Sequence, residues 1–176
     1  MANTPISEFR SKTLGKIGLS RPSRYTVMFS LPFSPGTIFQ PESVTLPSRG
    51  FATFEDDIWG PPRKIPIRNQ YTGEVVMTFP VSSSWRERII LEKWMDTLVD
   101  PKTHYSDYAN AKFNEVHIFC EDDSGKPVGT YTLKEAYPSM IMPTQLGYNM
   151  VNDYTRLQVA FAYRDYIFDA GGYKSF

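Results

Sequence analysis

In Asp153-Tyr154-Thr155-Arg156-Leu157-Gln158-Val159-Ala160-Phe161-Ala162-Tyr163-Arg164-Asp165-Tyr166, apolar or β-branched side chains recur at every second position from Thr155 to Tyr163. That period places Thr155, Leu157, Val159, Phe161 and Tyr163 on one face of a strand, with Arg156 and Gln158 on the other. Six further segments read as strands. Tyr25–Leu31 alternates in the same way, and Val44–Pro47 is short. Glu74–Val81, Asn114–Glu121, Val128–Ala136 and Ser139–Leu146 follow, the last broken at Pro143. Between them, Ser84–Val99 is predicted as a helix, with Ile90, Leu91, Trp94, Met95 and Leu98 on one stripe. Ser84 followed by Glu87 has capping-box spacing, and Trp85 and Ile89 lie off the stripe, facing a second surface. The expectation is a mainly β (α+β) fold, a β-sandwich or barrel of about seven strands with one flanking α-helix. Residues 1–23 read as an N-terminal arm, 24–166 as the domain and 167–176 as a mobile C-terminal tail.

The chain has 176 residues, with 19 basic and 19 acidic side chains and no net charge. That length supports a core without covalent staples. Its one cysteine excludes an internal disulfide and a cysteine zinc site. Without a basic surface, gripping nucleic acid is not its main task. No apolar segment of about 20 residues is present to cross a membrane, and the N-terminus lacks an apolar targeting region. A cytoplasmic start, without stable membrane insertion, is expected.

Catalytic groups are sparse. The histidines are His104, read as a surface residue, and His117, mid-strand beside Phe119 and read as a residue bonded to the backbone. Cys120 alternates with Val116 and Ile118 and reads as a small core side chain. Glu121-Asp122-Asp123 opens a Ser-Gly turn, so turn geometry accounts for it better than calcium. No nucleotide-binding glycine motif is present. The expectation is a protein that is not an enzyme, with no catalytic residues, no metal and no cofactor.

Residues 48–66 are different. Ser-Arg-Gly-Phe-Ala-Thr-Phe-Glu-Asp-Asp-Ile-Trp-Gly-Pro-Pro-Arg-Lys-Ile-Pro reads as a long loop whose aromatics argue against disorder, and composition alone leaves a plain surface loop and a segment that docks on another copy equally open. Acid at 55–57 and base at 63–68 flank apolar residues. Opposed charge blocks would set register and desolvated aromatics would give affinity for another copy. The candidate site is Arg49, Phe51, Phe54, Glu55, Asp56, Asp57, Ile58, Trp59, Arg63 and Lys64.

Several stretches in order resemble the tail tube proteins of contractile-tailed bacteriophages. They are Arg21-Pro22-Ser23-Arg24-Tyr25, Val44-Thr45-Leu46-Pro47-Ser48, Ile65-Pro66-Ile67-Arg68 and Glu74-Val75-Val76-Met77-Thr78-Phe79. The helix with Trp94, Leu133-Lys134-Glu135-Ala136-Tyr137-Pro138-Ser139 and Leu157–Tyr163 complete the series. The resemblance spans roughly residues 20–166, and this chain adds a longer tail after Tyr166. It implies a β-barrel-like subunit that closes into hexameric rings, which stack through the loop 48–66 into a tube inside a sheath. Implied partners are further copies of the chain, the tail sheath, the baseplate tube initiator and the tail terminator. Phage DNA would pass without tight binding, in a virion tail assembled in the host bacterial cytoplasm. Two alternatives stand beside this: a baseplate tube initiator of the same fold, and a monomeric β-barrel ligand-binding module.

Overall fold

The computed structural model describes residues 20–31, 34–57, 60–106, 114–149, 153–170 and 173–174. The described elements are β1 (Tyr25–Leu31), β2 (Ser34–Phe39), β3 (Ser43–Val44), β4 (Ser48–Asp56), β5 (Arg63–Thr72) and β6 (Val75–Pro80). Then come α1 (Arg86–Leu98), β7 (Glu115–Glu121), β8 (Pro127–Lys134), β9 (Tyr137–Ile141), β10 (Arg156–Ala162), β11 (Asp165–Ala170) and β12 (Tyr173–Lys174). They form a six-stranded sheet in the order β12-β11-β8-β7-β1-β2, a four-stranded sheet β3-β6-β10-β9, and a separate pair β4-β5. Every described pairing is antiparallel.

The alternation read from the sequence sorts side chains between core and surface. Val27, Phe29, Leu31, Val116, Ile118 and Leu133 of the larger sheet are buried, as are Val75, Met77, Phe79, Leu157, Val159 and Phe161 of the smaller one. All belong to one core cluster. Leu91 and Trp94 bring α1 into it. The Trp94 ring lies 6.1 Å from Phe29 and 5.9 Å from Phe161, so the helix docks on both sheets at once. Close edge-to-face and tilted ring pairs of this kind add to the area they bury.

Among the described residues twelve strands stand where about seven were expected. The five additions are β2, the pair β4 and β5, and β11 and β12. Prolines hid β2: it lies at the edge of its sheet, and Pro35 sits at the register shift opposite Ser30. A proline is tolerated there because an edge strand has one unpaired side. Beyond Tyr166 the strand continues: Ile167–Asp169 of β11 pair with β8, and Ala170 pairs with Tyr173 of β12.

The long strands predicted for 128–136 and 153–166 are each cut short by a corner. After β8 the chain turns at Glu135, whose φ is 52°, and passes to the other sheet as β9. After β10 it crosses the opposite way through Tyr163 and Arg164 into β11. The crossings meet: the Arg164 N–H donates to the Lys134 carbonyl at 3.1 Å, and its guanidinium pairs with Glu135 and Asp165. β9 ends at Ile141 rather than Leu146, and β3 occupies Ser43–Val44 rather than Val44–Pro47.

The helix start also differs from expectation. Ser84 does not cap it; Trp85 precedes the first turn with φ 53° and no side-chain cap. The Glu87 carboxylate reaches back instead to Ser82, accepting from its N–H at 3.0 Å and its hydroxyl at 2.8 Å. Burial pushes Glu87 up, but these Ser82 donors and neighbouring Arg86 bring it below the usual carboxylate range. Ile89 is 60% exposed, so among the described residues it meets no second surface.

Candidate functional site

The segment read as a loop is a β-hairpin. β4 and β5 pair from Ser48↔Thr72 at the root to Asp56↔Arg63 at the tip. A register shift between Ala52 and Thr53 leaves Ile67 without a cross-strand partner. Pro66 lies opposite Thr53 at this shift, where the ladder can spare an N–H. Nearly all of the hairpin is solvent-exposed. Its conformation therefore rests on its own ladder and on its root.

The root is aromatic. Tyr71 of β5 meets Tyr166 of β11 edge-on at 5.5 Å, and Tyr166 lies 5.9 Å from Tyr131 and 6.4 Å from Tyr163. Tyr131 stacks obliquely on Phe168 at 4.6 Å. Gly129 leaves room for that ring, since a Cβ there would come within 3.2 Å of Phe168. Burial first, and neighbouring Tyr166 among the lesser causes, raise the Tyr131 and Tyr163 hydroxyls above their ordinary range. This cluster was missed because Tyr166 and Phe168 were assigned to the domain's end and tail. Their spacing of two residues was the available signal.

The structure changes the meaning of the charge blocks. The acid at 55–57 and the base at 63–68 face each other within one hairpin: Glu55 stands opposite Lys64 and Asp56 opposite Arg63. Arg63 donates from Nε and Nη2 to one Asp56 oxygen at 3.1 and 2.9 Å. With Arg63 largely exposed, the pair is worth at most about 1 kcal/mol. The blocks thus meet within the monomer at Asp56–Arg63 and Glu55–Lys64, while Arg68 stands opposite Ala52. Arg49 donates to Asn69 Oδ1 at 3.1 Å, and its guanidinium lies 6.0 Å from the Phe51 ring.

Apolar side chains remain uncovered. Phe51 is 60% exposed, Phe54 55%, Ile65 40% and Ile67 66%. Phe54 and Ile65 are direct cross-strand partners. Of the predicted site, Arg49, Phe51, Phe54, Glu55, Asp56, Arg63 and Lys64 are on this hairpin, and Asp57 follows β4 at its tip. Ile58 and Trp59 lie outside the described residues. Ile65 and Ile67 were not in the predicted site, although their spacing of two marks one strand.

The residues weighed for chemistry are dispersed. His117 Nδ1 is 3.1 Å from the Thr132 hydroxyl rather than on a backbone group, and its ring stacks on Phe119 at 6.2 Å. His104 is exposed. Cys120 is half-buried and burial raises its thiol pKa, which disfavours the thiolate a nucleophile requires. The three acids of the second triplet each have their own partners. Glu121 accepts from the Thr26 hydroxyl, Asp122 holds the turn through Ser124 and Lys126, and Asp123 pairs with Arg21 and Arg24. Among the described residues no cluster of three or more His, Cys, Asp or Glu side chains could hold a metal ion, and no helix is long and apolar enough to cross a membrane.

The described residues thus form a mainly β fold with open sheet edges and an exposed apolar hairpin. The sequence matches the phage tail tube protein family over residues 20–169, and the chain belongs to that family. No curated protein matches it. The fold is similar to that of a chain from the anti-feeding prophage baseplate, with TM-score 0.68 and 15% identity over 86% of this chain and 96% of that one. It is also similar to a chain from the anti-feeding prophage tube-terminating cap, with TM-score 0.65 and 13% identity over 90% and 98%. A chain of the sheath-tube complex of an extracellular contractile injection system, PVC, has TM-score 0.62 and 14% identity over 92% and 97%.

Proposed function

We propose that this protein is the repeating subunit of the inner tube of a contractile tail, closing into hexameric rings that stack through the β4–β5 hairpin. The observation that carries this reading is the hairpin itself: four exposed apolar side chains on a charge-balanced, self-paired support. Such a surface loses little by desolvation and gains affinity when a second surface covers it. The described sheets also end in free edges, at β2 and β12 in one and β3 and β9 in the other. Edges of this kind invite pairing, and closure of sheets between subunits would remove them. The sheath, a baseplate initiator and a terminator are the partners such a tube requires. DNA would pass through the lumen, and a chain of zero net charge is suited to conduct rather than hold it. The protein would act in the virion tail after assembly in the host cytoplasm, without catalysis.

Negative-stain electron microscopy across a concentration series, with light-scattering mass alongside, tests this reading. Hollow rings and tubes with masses in multiples of six protomers are expected. Single rings that never lengthen would favour the initiator reading, in which the same fold starts a tube built from another chain. A 20.2 kDa monomer at every concentration would favour a monomeric binding module.

A further inference from the structure

Copies that stack head to tail meet through two different surfaces, so a tube built through the hairpin requires a receiving surface at the far end of the subunit. β10 runs from Arg156 to Ala162, about 20 Å of extended chain, and Tyr163 of the hairpin root follows directly. β5 ends at the root with Thr72. β6 then starts at Val75, beside Phe161, and reaches Pro80, beside Arg156. The Arg156 end of the smaller sheet therefore lies opposite the hairpin's attachment.

At that end the outer face of the sheet carries an open trough of about 710 Å³. Thr78, Arg156 and Gln158 floor it, alternating with buried Met77, Leu157 and Val159. Leu146, Tyr148 and Tyr154 of its lining are exposed. The Arg156 guanidinium lies 4.2 Å from the Tyr154 ring and pairs with Asp153 at 3.0 Å and Glu42 at 3.1 Å. Two carboxylates against one guanidinium leave this rim acidic. Among the described residues none from the hairpin lines the trough, so a copy's own hairpin does not fill it.

The hairpin has a face that complements it. Direct cross-strand partners share a face, and faces alternate along a strand. Ala52–Arg68, Phe54–Ile65 and Asp56–Arg63 are therefore on one face of the hairpin. Asp56 and Arg63 satisfy each other there. Phe54 and Ile65 are exposed, and exposed Arg68 has no acid across the ladder. This face thus offers apolar side chains and a base, where the trough offers apolar side chains and an excess carboxylate.

We propose that the trough of one copy receives this hairpin face from a copy in the next ring, with Phe54 and Ile65 against Leu146, Tyr148 and Tyr154 and with Arg68 toward Asp153 and Glu42. The inference rests on the tube reading and supplies the acceptor that reading requires. Every copy around a ring repeats the contact, so a modest one at each position suffices.

The test uses two variants of the full chain. Phe54→Asp breaks the hairpin face and leaves the trough; Leu146→Asp breaks the trough and leaves the hairpin. Both alter exposed side chains, and melting curves matching the parent's establish that both are folded. By negative-stain electron microscopy each variant alone is expected to stop at single rings. Mixed after assembly, the two are expected to form double rings and nothing longer, because only the hairpin of one and the trough of the other are intact. Tubes of parent length from Leu146→Asp, or a mixture that stays as single rings, overturn the proposal and leave the tube reading standing. A parent chain that forms no tubes overturns both. Proximity is read separately in tubes of the Cys120→Ser chain carrying Ala52→Cys with Gln145→Cys on the trough wall or, as a control, with exposed Lys102→Cys. A short bismaleimide is expected to join different chains through positions 52 and 145 at least about tenfold faster than through 52 and 102. Equal rates overturn the proposal.

Discussion

β10 and the β4–β5 hairpin are built from similar material and put it to opposite use. In β10, Leu157, Val159 and Phe161 are wholly buried between two sheets. In the hairpin, Phe51, Phe54, Ile65 and Ile67 occupy a well-paired ladder with solvent beside them. Alternation along a chain reports a strand, but neighbours in space decide whether its apolar face is covered. A lone two-stranded hairpin is marginal in water. This one persists through its aromatic root at Tyr71, Tyr131, Tyr163 and Tyr166 and its own cross-strand pairs. Its exposed apolar area contributes little to folding and remains available for association.

The contrast can be broken most severely at Leu157. Leu157→Asp places a carboxylate among Phe79 and the core at a cost of several kcal/mol, and loss of the cooperative thermal transition is expected. Phe51→Asp on the hairpin should leave the monomer's stability within about 0.5 kcal/mol while preventing the stacking of rings. A shared melting temperature for the two variants would erase the distinction.

Phe161→Ala should cost about 3–5 kcal/mol by chemical denaturation, because its ring contacts both Phe29 and Trp94. Phe54→Ala should cost less than about 1 kcal/mol in the same measurement.

The role of the hairpin charges is sharpened by a swap. Asp56→Arg alone breaks the pair with Arg63 and sets two like charges opposite each other. It should lower hairpin amide protection and stop stacking, with at most about 1 kcal/mol lost from the monomer. Asp56→Arg with Arg63→Asp rebuilds the pair and should restore protection. Restored stacking as well would assign these charges to hairpin support. Stacking that stays lost would assign them to contact with another copy.

The smallest effect concerns the helix start. Glu87 has its folded-state pKa lowered, so the folded state binds fewer protons than the unfolded one near the ordinary carboxylate range. Its contribution is present at neutral pH and lost as pH falls through the lowered value. Glu87→Gln should flatten the stability profile there, and an unchanged acid limb would contradict the Ser82 contact as its source.

The buried elements were legible because burial writes a period into the sequence. The stripe through Leu91 and Trp94 and the alternation around Leu157 marked α1 and β10. β4 and β5 were not recognised as strands because exposed faces impose no such period, and glycine, prolines and mixed charge mimic a loop. Ile167–Ala170 merged with a supposed tail because they run directly into Gly171-Gly172. The candidate residues within the described set lie along one hairpin or at its tip, but their charge partners were not legible: which acid faces which base depends on hairpin register. The corner at Glu135 and Arg164 was hidden for the same reason, since residues 29 positions apart meet only in the fold.

The central claim is that the exposed hairpin joins copies of this chain into a tube. Negative-stain microscopy of the parent protein beside a Phe51→Ser, Phe54→Ser double variant, at matched concentration and with both monomers shown to be folded, tests it directly. The parent is expected to form hollow tubes and the variant to stop at single rings. Tubes of equal length from both proteins would contradict the claim.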